Sequence, residues 1–255
     1  MKRAAFAGLL AGLLSLSVPG HADEIRVAVA TNFVEVMREL AADFERETGH
    51  EVTLSSGATG KLYAQIKNGA PFDLFLAADD RRPELLEQEG VALAGSRFTY
   101  ALGELVLWSP QPDLIDGGPE VLEAAPFDYL SIANPKTAPY GRAAQQTLER
   151  LGLWANLEGR LVRGENIGQA YQYVHSGNAA LGFVARSQVY RNGEYTAGSY
   201  WRVPADFHEP VVQQAVQLRE GEAVTALLDH MRTPAARALI ESYGYGTLAP
   251  QMEGR

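Results

Sequence analysis

The sequence has no cysteine. That excludes a disulfide framework, a thiol nucleophile, a cysteine-based zinc site and a lipoprotein anchor. It also lacks any excess of positive charge: the formal net charge is −9 at pH 7. Non-specific binding to nucleic acid or to an anionic membrane surface is therefore disfavoured. No internal repeat and no low-complexity linker is present, and beyond the first residues no apolar run reaches spanning length. There is no H-E-x-x-H pair, no G-x-S-x-G elbow and no Walker loop. Histidine, aspartate and glutamate nowhere cluster at metal-ligand spacing. What remains is an ordinary globular composition, 46% hydrophobic and 21% charged. The 255 residues suffice for one large domain or two lobes with separate cores.

Residues 1–22 read MKRAAFAGLLAGLLSLSVPGHA. Lys2 and Arg3 form a basic head, Ala4 to Leu16 an apolar stretch, Pro19 breaks it, and Gly20 and Ala22 are small residues before a cleavage point. This pattern predicts a secretory signal peptide with a mature chain from Asp23. A membrane anchor fits worse, because the apolar stretch is short of the ~20 residues a span needs. The mature chain is expected to be exported and not membrane-embedded.

From there strands and helices alternate. Ile25–Ala30 reads as a strand, and Phe33, Val36, Met37, Leu40, Ala41 and Phe44 recur at helical spacing until Gly49. Glu51–Leu54 and Asp73–Ala77 are further strands, with helices opening after Ser55–Gly60 and at Pro83. Such strand–helix repetition predicts parallel βαβ units with right-handed crossovers. The pattern then restarts: one strand over Leu102–Ser109, a stretch broken by proline and glycine to Pro126, and a strand over Tyr129–Ala133. A helix from Tyr140, strands at Leu161–Arg163 and Leu181–Ala185 around a helix over Ile167–His175, and a strand at Val211–Leu218 follow. Helices over Ala223–Met231 and Pro234–Tyr243 close the chain. The predicted fold is α/β with two lobes, each a mostly parallel sheet flanked by helices. Lobe 1 is assigned residues 23–101 and 211–255, and lobe 2 residues 102–210. Trp108 and Trp154 are expected in the second lobe's core, and Trp201 at the surface or between the lobes.

Candidate chemistry sits at four strand-to-helix corners: Thr31-Asn32, Thr59 within Gly57-Ala58-Thr59-Gly60, Pro139-Tyr140-Gly141 and Asn166-Ile167-Gly168. A helix start presents unpaired N–H groups and about half a positive charge, which suits an anion. In open α/β sheets such corners lie at the carboxyl ends of strands, where ligands bind. Threonine and asparagine are equally what any helix N-cap prefers, with no ligand required. Both readings stand on the sequence alone.

The order and spacing of these stretches resemble the periplasmic molybdate-binding proteins of bacterial ABC importers. The resemblance is carried by VAVATNFVEVMRELAADFERETGH, SSGATGKLYAQIKNGAPFDLFLAADD and SRFTYALGELVLWSP. It continues through ANPKTAPYGRAAQQTLERLGLW, ENIGQAYQYVHSGNAALGFVA, EPVVQQAVQL and RTPAARALIESYGY. It implies a two-lobed type II periplasmic binding protein that closes on its ligand in the inter-lobe cleft. The ligand implied is molybdate or tungstate, with no cofactor and no direct protein–metal bond. The implied partners are a membrane permease and its ATPase, and a monomer is expected. Carried onto this chain, the oxyanion contacts fall on Thr31, Asn32, Thr59, Tyr140 and Ile167. Thr31 and Asn32 would give N–H and side-chain donors, Thr59 a hydroxyl and its N–H, and Tyr140 and Ile167 mainly N–H groups. Many relatives have serine at the positions of Asn32 and Thr59 and alanine at that of Tyr140, and some have a tyrosine donor where this chain has Ala185.

None of the five candidates is charged, as suits a fully deprotonated tetrahedral oxyanion that only accepts hydrogen bonds. Asp79 and Asp80 are possible acceptors for a protonated anion such as hydrogen phosphate, against ordinary capping or solvated roles. Lys61 and Arg142 stand just inside two helix starts, as direct contacts or as solvated charges that raise the local potential. A binding protein for another oxyanion, sulfate or phosphate, stays open. So does a periplasmic hydrolase built on Ser55 or Ser56, although no histidine is singled out as its base.

Overall fold

The computed structural model describes residues 22–247. The signal-peptide reading of residues 1–22 falls, except for Ala22, outside the described residues. The first lobe begins β1 (Glu24–Ala30), α1 (Val34–Thr48), β2 (Glu51–Gly57), α2 (Thr59–Lys67), β3 (Leu74–Ala77), α3 (Arg81–Gln88) and β4 (Phe98–Gly103). Strand β1 lies between β2 and β3, parallel to both. It is apolar nearly throughout, as a strand covered on both faces must be. One stripe of α1 (Val36, Met37, Leu40, Ala41, Phe44) is buried against the sheet. The helix ends at Gly49, whose φ of 78° takes the left-handed C-cap conformation.

The chain then enters the second lobe: β5 (Leu105–Ser109), α4 (Glu120–Ala124), β6 (Leu130–Ala133), α5 (Pro139–Arg150), α6 (Trp154–Leu157), β7 (Leu161–Gly164), α7 (Ile167–His175) and β8 (Leu181–Ala185). A hairpin of β9 (Tyr190–Arg191) and β10 (Glu194–Tyr195) and the strand β11 (Ser199–Arg202) complete it. The chain returns as β12 (Val211–Gln217), followed by α8 (Glu222–Arg232) and α9 (Pro234–Ser242).

The two sheets share one plan. Their orders are β2-β1-β3-β12-β4 and, read from its far edge, β7-β6-β8-β5-β11. In each, three parallel strands are followed by one antiparallel strand, β12 or β5, that has just crossed from the other lobe. The fold is thus a two-lobed α/β structure, with the carboxyl ends of the parallel strands facing across a cleft.

Three sequence expectations change. The single strand expected over Leu102–Ser109 is two strands in different sheets, joined by Glu104 alone. Gly103-Glu104 is the sole interruption of the apolar pattern there, and one such pair is too short a break to separate two strands by periodicity. The stretch from Ser109 to Pro126 contains the short helix α4, and the unassigned stretch after Ala185 contains β9, β10 and β11. Trp201, expected at the surface or between the lobes, is 7% exposed on β11. Its ring meets Phe207 edge-on at 5.7 Å in the second lobe's core.

Candidate functional site

At the strand ends between the lobes lies one small cavity, of about 10 Å³. The structure brings Thr31, Asn32, Thr59, Tyr140 and Ile167 together around it, with Ala30, Ala58, Ala78 and Ala138 supplying apolar wall. Pockets for drug-sized organic ligands run ~300–1,000 Å³; this space suits a compact ion. A larger depression of about 670 Å³ on the first lobe is open to solvent, and Glu220, Glu222 and Asp229 on its walls repel an anion.

Thr31 and Thr59 do not cap their helices. The N-cap positions of three of the four corners are Ala30, Ala58 and Ala138, with no side-chain cap bond at any of them. Alanine at an N-cap costs ~0.5–2 kcal/mol relative to serine, threonine or asparagine. Here the loss falls on three helix ends that converge on one space. No acceptor among the described residues meets the N–H groups of Asn32, Thr59, Tyr140 or Ile167. Only the fourth corner is capped by a side chain, through Asn166 Oδ1, which accepts from the Gln169 N–H at 2.9 Å.

The side chains divide by direction. Thr31 Oγ1 is buried without a partner. Thr59, 1% exposed, accepts from the Ala78 N–H at 3.1 Å, which leaves its own proton to donate. Asn32 contributes no side-chain donor to the cavity. Its Nδ2 donates to Gln213 Oε1 at 2.7 Å and to Tyr245 OH at 3.0 Å, which uses both amide hydrogens. The Tyr140 hydroxyl also turns away and accepts from Gln213 Nε2 at 3.2 Å. From these two residues the cavity receives backbone only.

Neither basic candidate reaches the space. Lys61 Nζ pairs with Glu165 at 2.7 Å across the cleft mouth, and Arg142 lies 4.0 Å from Asp79. Asp79 is buried but occupied: it accepts from the Arg82 N–H at 3.1 Å and pairs with the Arg82 guanidinium. Asp80 is exposed. Ser55 and Ser56 lie exposed on β2, and neither bonds a histidine. Among the described residues no group of His, Cys, Asp or Glu is placed to hold a metal ion. The cavity is therefore neutral and donor-rich, so an empty site strands no buried charge.

The lobes are shut on one another. Gly60 N–H donates to Thr137 O at 2.8 Å and Ser187 Oγ to Asn32 O at 3.1 Å, both between lobes. A Cβ on Gly60 would stand 3.0 Å from Thr137 O, and one on Gly168 would run into Thr31 Cγ2. These helix starts approach so closely only because glycine occupies both places.

Beneath the cavity, Tyr100, Tyr140, Tyr245, Asn32 and Gln213 form a buried polar network. Burial pushes the phenols of Tyr100, Tyr140 and Tyr245 well above their ordinary range. With the folded value raised, the associated stability is complete below the unfolded value of ~10 and is lost as pH rises past it. Melting temperature is accordingly expected to show no tyrosine-linked loss between pH 7 and 9 and to fall above about pH 10. Thermal melts across that range check this, and a loss already evident at pH 8–9 would contradict neutral tyrosines in the network. Sequence reading passed over Gln213, Tyr245 and Tyr100. The available signal was the alternation Val211, Gln213, Ala215, which places a glutamine on the inward face of β12.

Comparison with known proteins follows the same lines. Residues 25–246 match the family described as bacterial extracellular solute-binding protein. The molybdate-binding protein ModA of Azotobacter vinelandii is 54% identical over 239 residues, covering 92% of this chain and 94% of the relative. The protein of that name from Rhodobacter capsulatus is 45% identical over 241 residues, covering 93% and 94%. Among solved structures, the Azotobacter vinelandii periplasmic molybdate-binding protein superposes with a TM-score of 0.85 at 43% identity, covering 89% of this chain and all of that one.

Proposed function

The chain belongs to the bacterial extracellular solute-binding proteins and, within them, to the molybdate-binding proteins, and from that premise we propose that it captures molybdate in the cleft between its lobes. Tungstate, a dianion of the same shape and nearly the same size, is taken as well. The protein works in the periplasm as a monomer, without catalysis, and hands its cargo to the permease of an ABC importer driven by a separate ATPase. Within the described residues lobe 1 comprises 23–103 and 211–247 and lobe 2 comprises 105–210, hinged near Glu104 and before Val211.

One observation carries the reading: helix starts from both lobes, three of them capped by alanine, converge on a small cavity with no charged side chain. Thr31, Asn32, Thr59, Tyr140 and Ile167 supply N–H and hydroxyl donors to the oxygens. Hydrogen bonds to a charged group contribute ~1.5–3 kcal/mol each, so six or seven account for nanomolar binding after ordering costs. A hydrogen phosphate would bring a proton for which this donor set offers no carboxylate. Ligand shifts the lobes toward closure only as far as it binds the closed form better.

A thermal-shift panel on ligand-stripped mature protein tests the assignment. At a thousandfold excess over Kd, linkage gives about 4 kcal/mol of stabilisation, or roughly 8–16 °C for a chain of this length. Molybdate and tungstate are expected to produce that rise, and sulfate and phosphate little. A larger rise with sulfate would keep the site and change the ligand. No rise with any of the four anions would overturn the reading.

A further inference from the structure

We propose that Gln213 is a positioning residue that ties closure of the lobes to the placement of the anion's donors; this rests on the anion-binding reading above. Gln213 is the third residue of β12, the strand that returns from the second lobe, and its exposure is 0%. Pairing with β4 slips between Gln213, opposite Ala101, and Gln214, opposite Thr99. Such a bulge re-aims a side chain. Here the amide points at both lobes. Oε1 accepts from Asn32 Nδ2 at 2.7 Å and from Tyr100 OH at 3.1 Å, and Nε2 donates to Tyr140 OH at 3.2 Å.

Asn32 and Tyr140 each start a cavity helix, one in each lobe, and each offers the cavity its N–H rather than its side chain. A single amide thus spans the two helix starts whose separation sets the width of the site. The other connecting strand makes room for it. Gly103 ends β4, and a Cβ there would collide with Tyr140 OH and stand 2.8 Å from Gln213 Nε2. On the lobe 1 side, Tyr245 OH donates to Asn32 O at 2.7 Å and holds the adjoining peptide in place. The Gln213–Tyr140 bond crosses between lobes, so its loss alters the closed state specifically. A polar bond within one lobe would change folding stability and leave affinity alone.

The test uses Gln213→Met, which keeps length but removes both bonding ends, Tyr140→Phe, which removes the hydroxyl and keeps the backbone N–H, and the double variant. Molybdate Kd and dissociation rate are measured on folded protein, with melting of the ligand-free form alongside. Q213M is expected to weaken binding about tenfold to a hundredfold, mainly through faster release, and Y140F about fivefold. The double variant is expected to match Q213M, because the second deletion removes a bond already lost. Unchanged Kd with a lowered melting temperature would overturn the proposal and leave Gln213 an ordinary core residue, as would effects that simply multiply. Should Q213M not fold, Y140F decides alone: an affinity equal to the unmodified protein's overturns the proposal. Failure of the unmodified protein to bind molybdate would instead overturn the functional reading beneath it.

Discussion

Asn32→Asp is expected to bind no molybdate at any concentration a calorimetric titration reaches, a loss of at least a thousandfold. Asn32 is 5% exposed and its backbone lines the cavity, so its replacement buries a carboxylate just behind the anion's donors, within a side-chain length of a dianion. Two unit charges about 6 Å apart at an effective dielectric of 20 repel by about 3 kcal/mol, and a dianion doubles that. The change also sets oxygen against oxygen where Nδ2 now donates to Gln213 Oε1 and Tyr245 OH. The ligand-free protein should therefore melt lower as well, because leaving such groups unpaired costs ~1–3 kcal/mol each. Asn32→Ala separates the two causes. It removes the same side-chain bonds but adds no charge and keeps the N–H, so it should bind measurably, within about a hundredfold of the unmodified protein. Equal loss in both variants would mean that the charge is irrelevant and that Asn32 acts only through the network.

The second large effect runs in opposite directions for folding and for binding. Gly60 and Gly168 are the second residues of α2 and α7, where alanine is the better helix former by ~1 kcal/mol. Each glycine meets the opposite lobe, Gly60 at the Thr137 backbone and Gly168 at the Thr31 methyl. Within its own lobe an added methyl meets only the flexible end of Arg82 at Gly60 and the Asn166 Oδ1 at Gly168, contacts that small shifts relieve, whereas it obstructs the lobes when they shut. The Gly60→Ala/Gly168→Ala protein is expected to melt without ligand at the same temperature or slightly higher, and to bind molybdate at least a hundredfold more weakly. Calorimetric titration together with ligand-free melts reads both arms. Affinity within threefold of the unmodified protein would show that closure tolerates the extra volume and that the tight approach is incidental.

Much of the scaffold was legible in the sequence. The α1 stripe ending at Gly49 follows from period and capping chemistry, as do α7 over Ile167–His175 and the all-apolar β8. Two features were hidden for identifiable reasons. The lobe switch at Glu104 is marked only by Gly103-Glu104 between two apolar stretches, a break that alternation reads as a single exposed position. The alanine caps were obscured because Thr31 and Thr59, one place further on, are the residues a cap would ordinarily use. The candidate residues were visible as corner chemistry and as a resemblance, but which part of each faces the cavity was not. That Asn32 and Tyr140 turn their side chains away depends on Gln213, some 180 residues from Asn32 along the chain, and separations of that kind leave no local signature.

The alanines at those helix starts imply something about the empty protein. Without its cargo, each of these helices is an unfinished piece of secondary structure, lacking the side-chain cap that would ordinarily hold its first turn. Under the proposed function the arriving anion would serve as one cap shared among helices of both lobes, completing the hydrogen bonding that the sequence left open. On the same reading, release would be a local uncapping, in which helix ends on either side of the cleft give up the same partner at once.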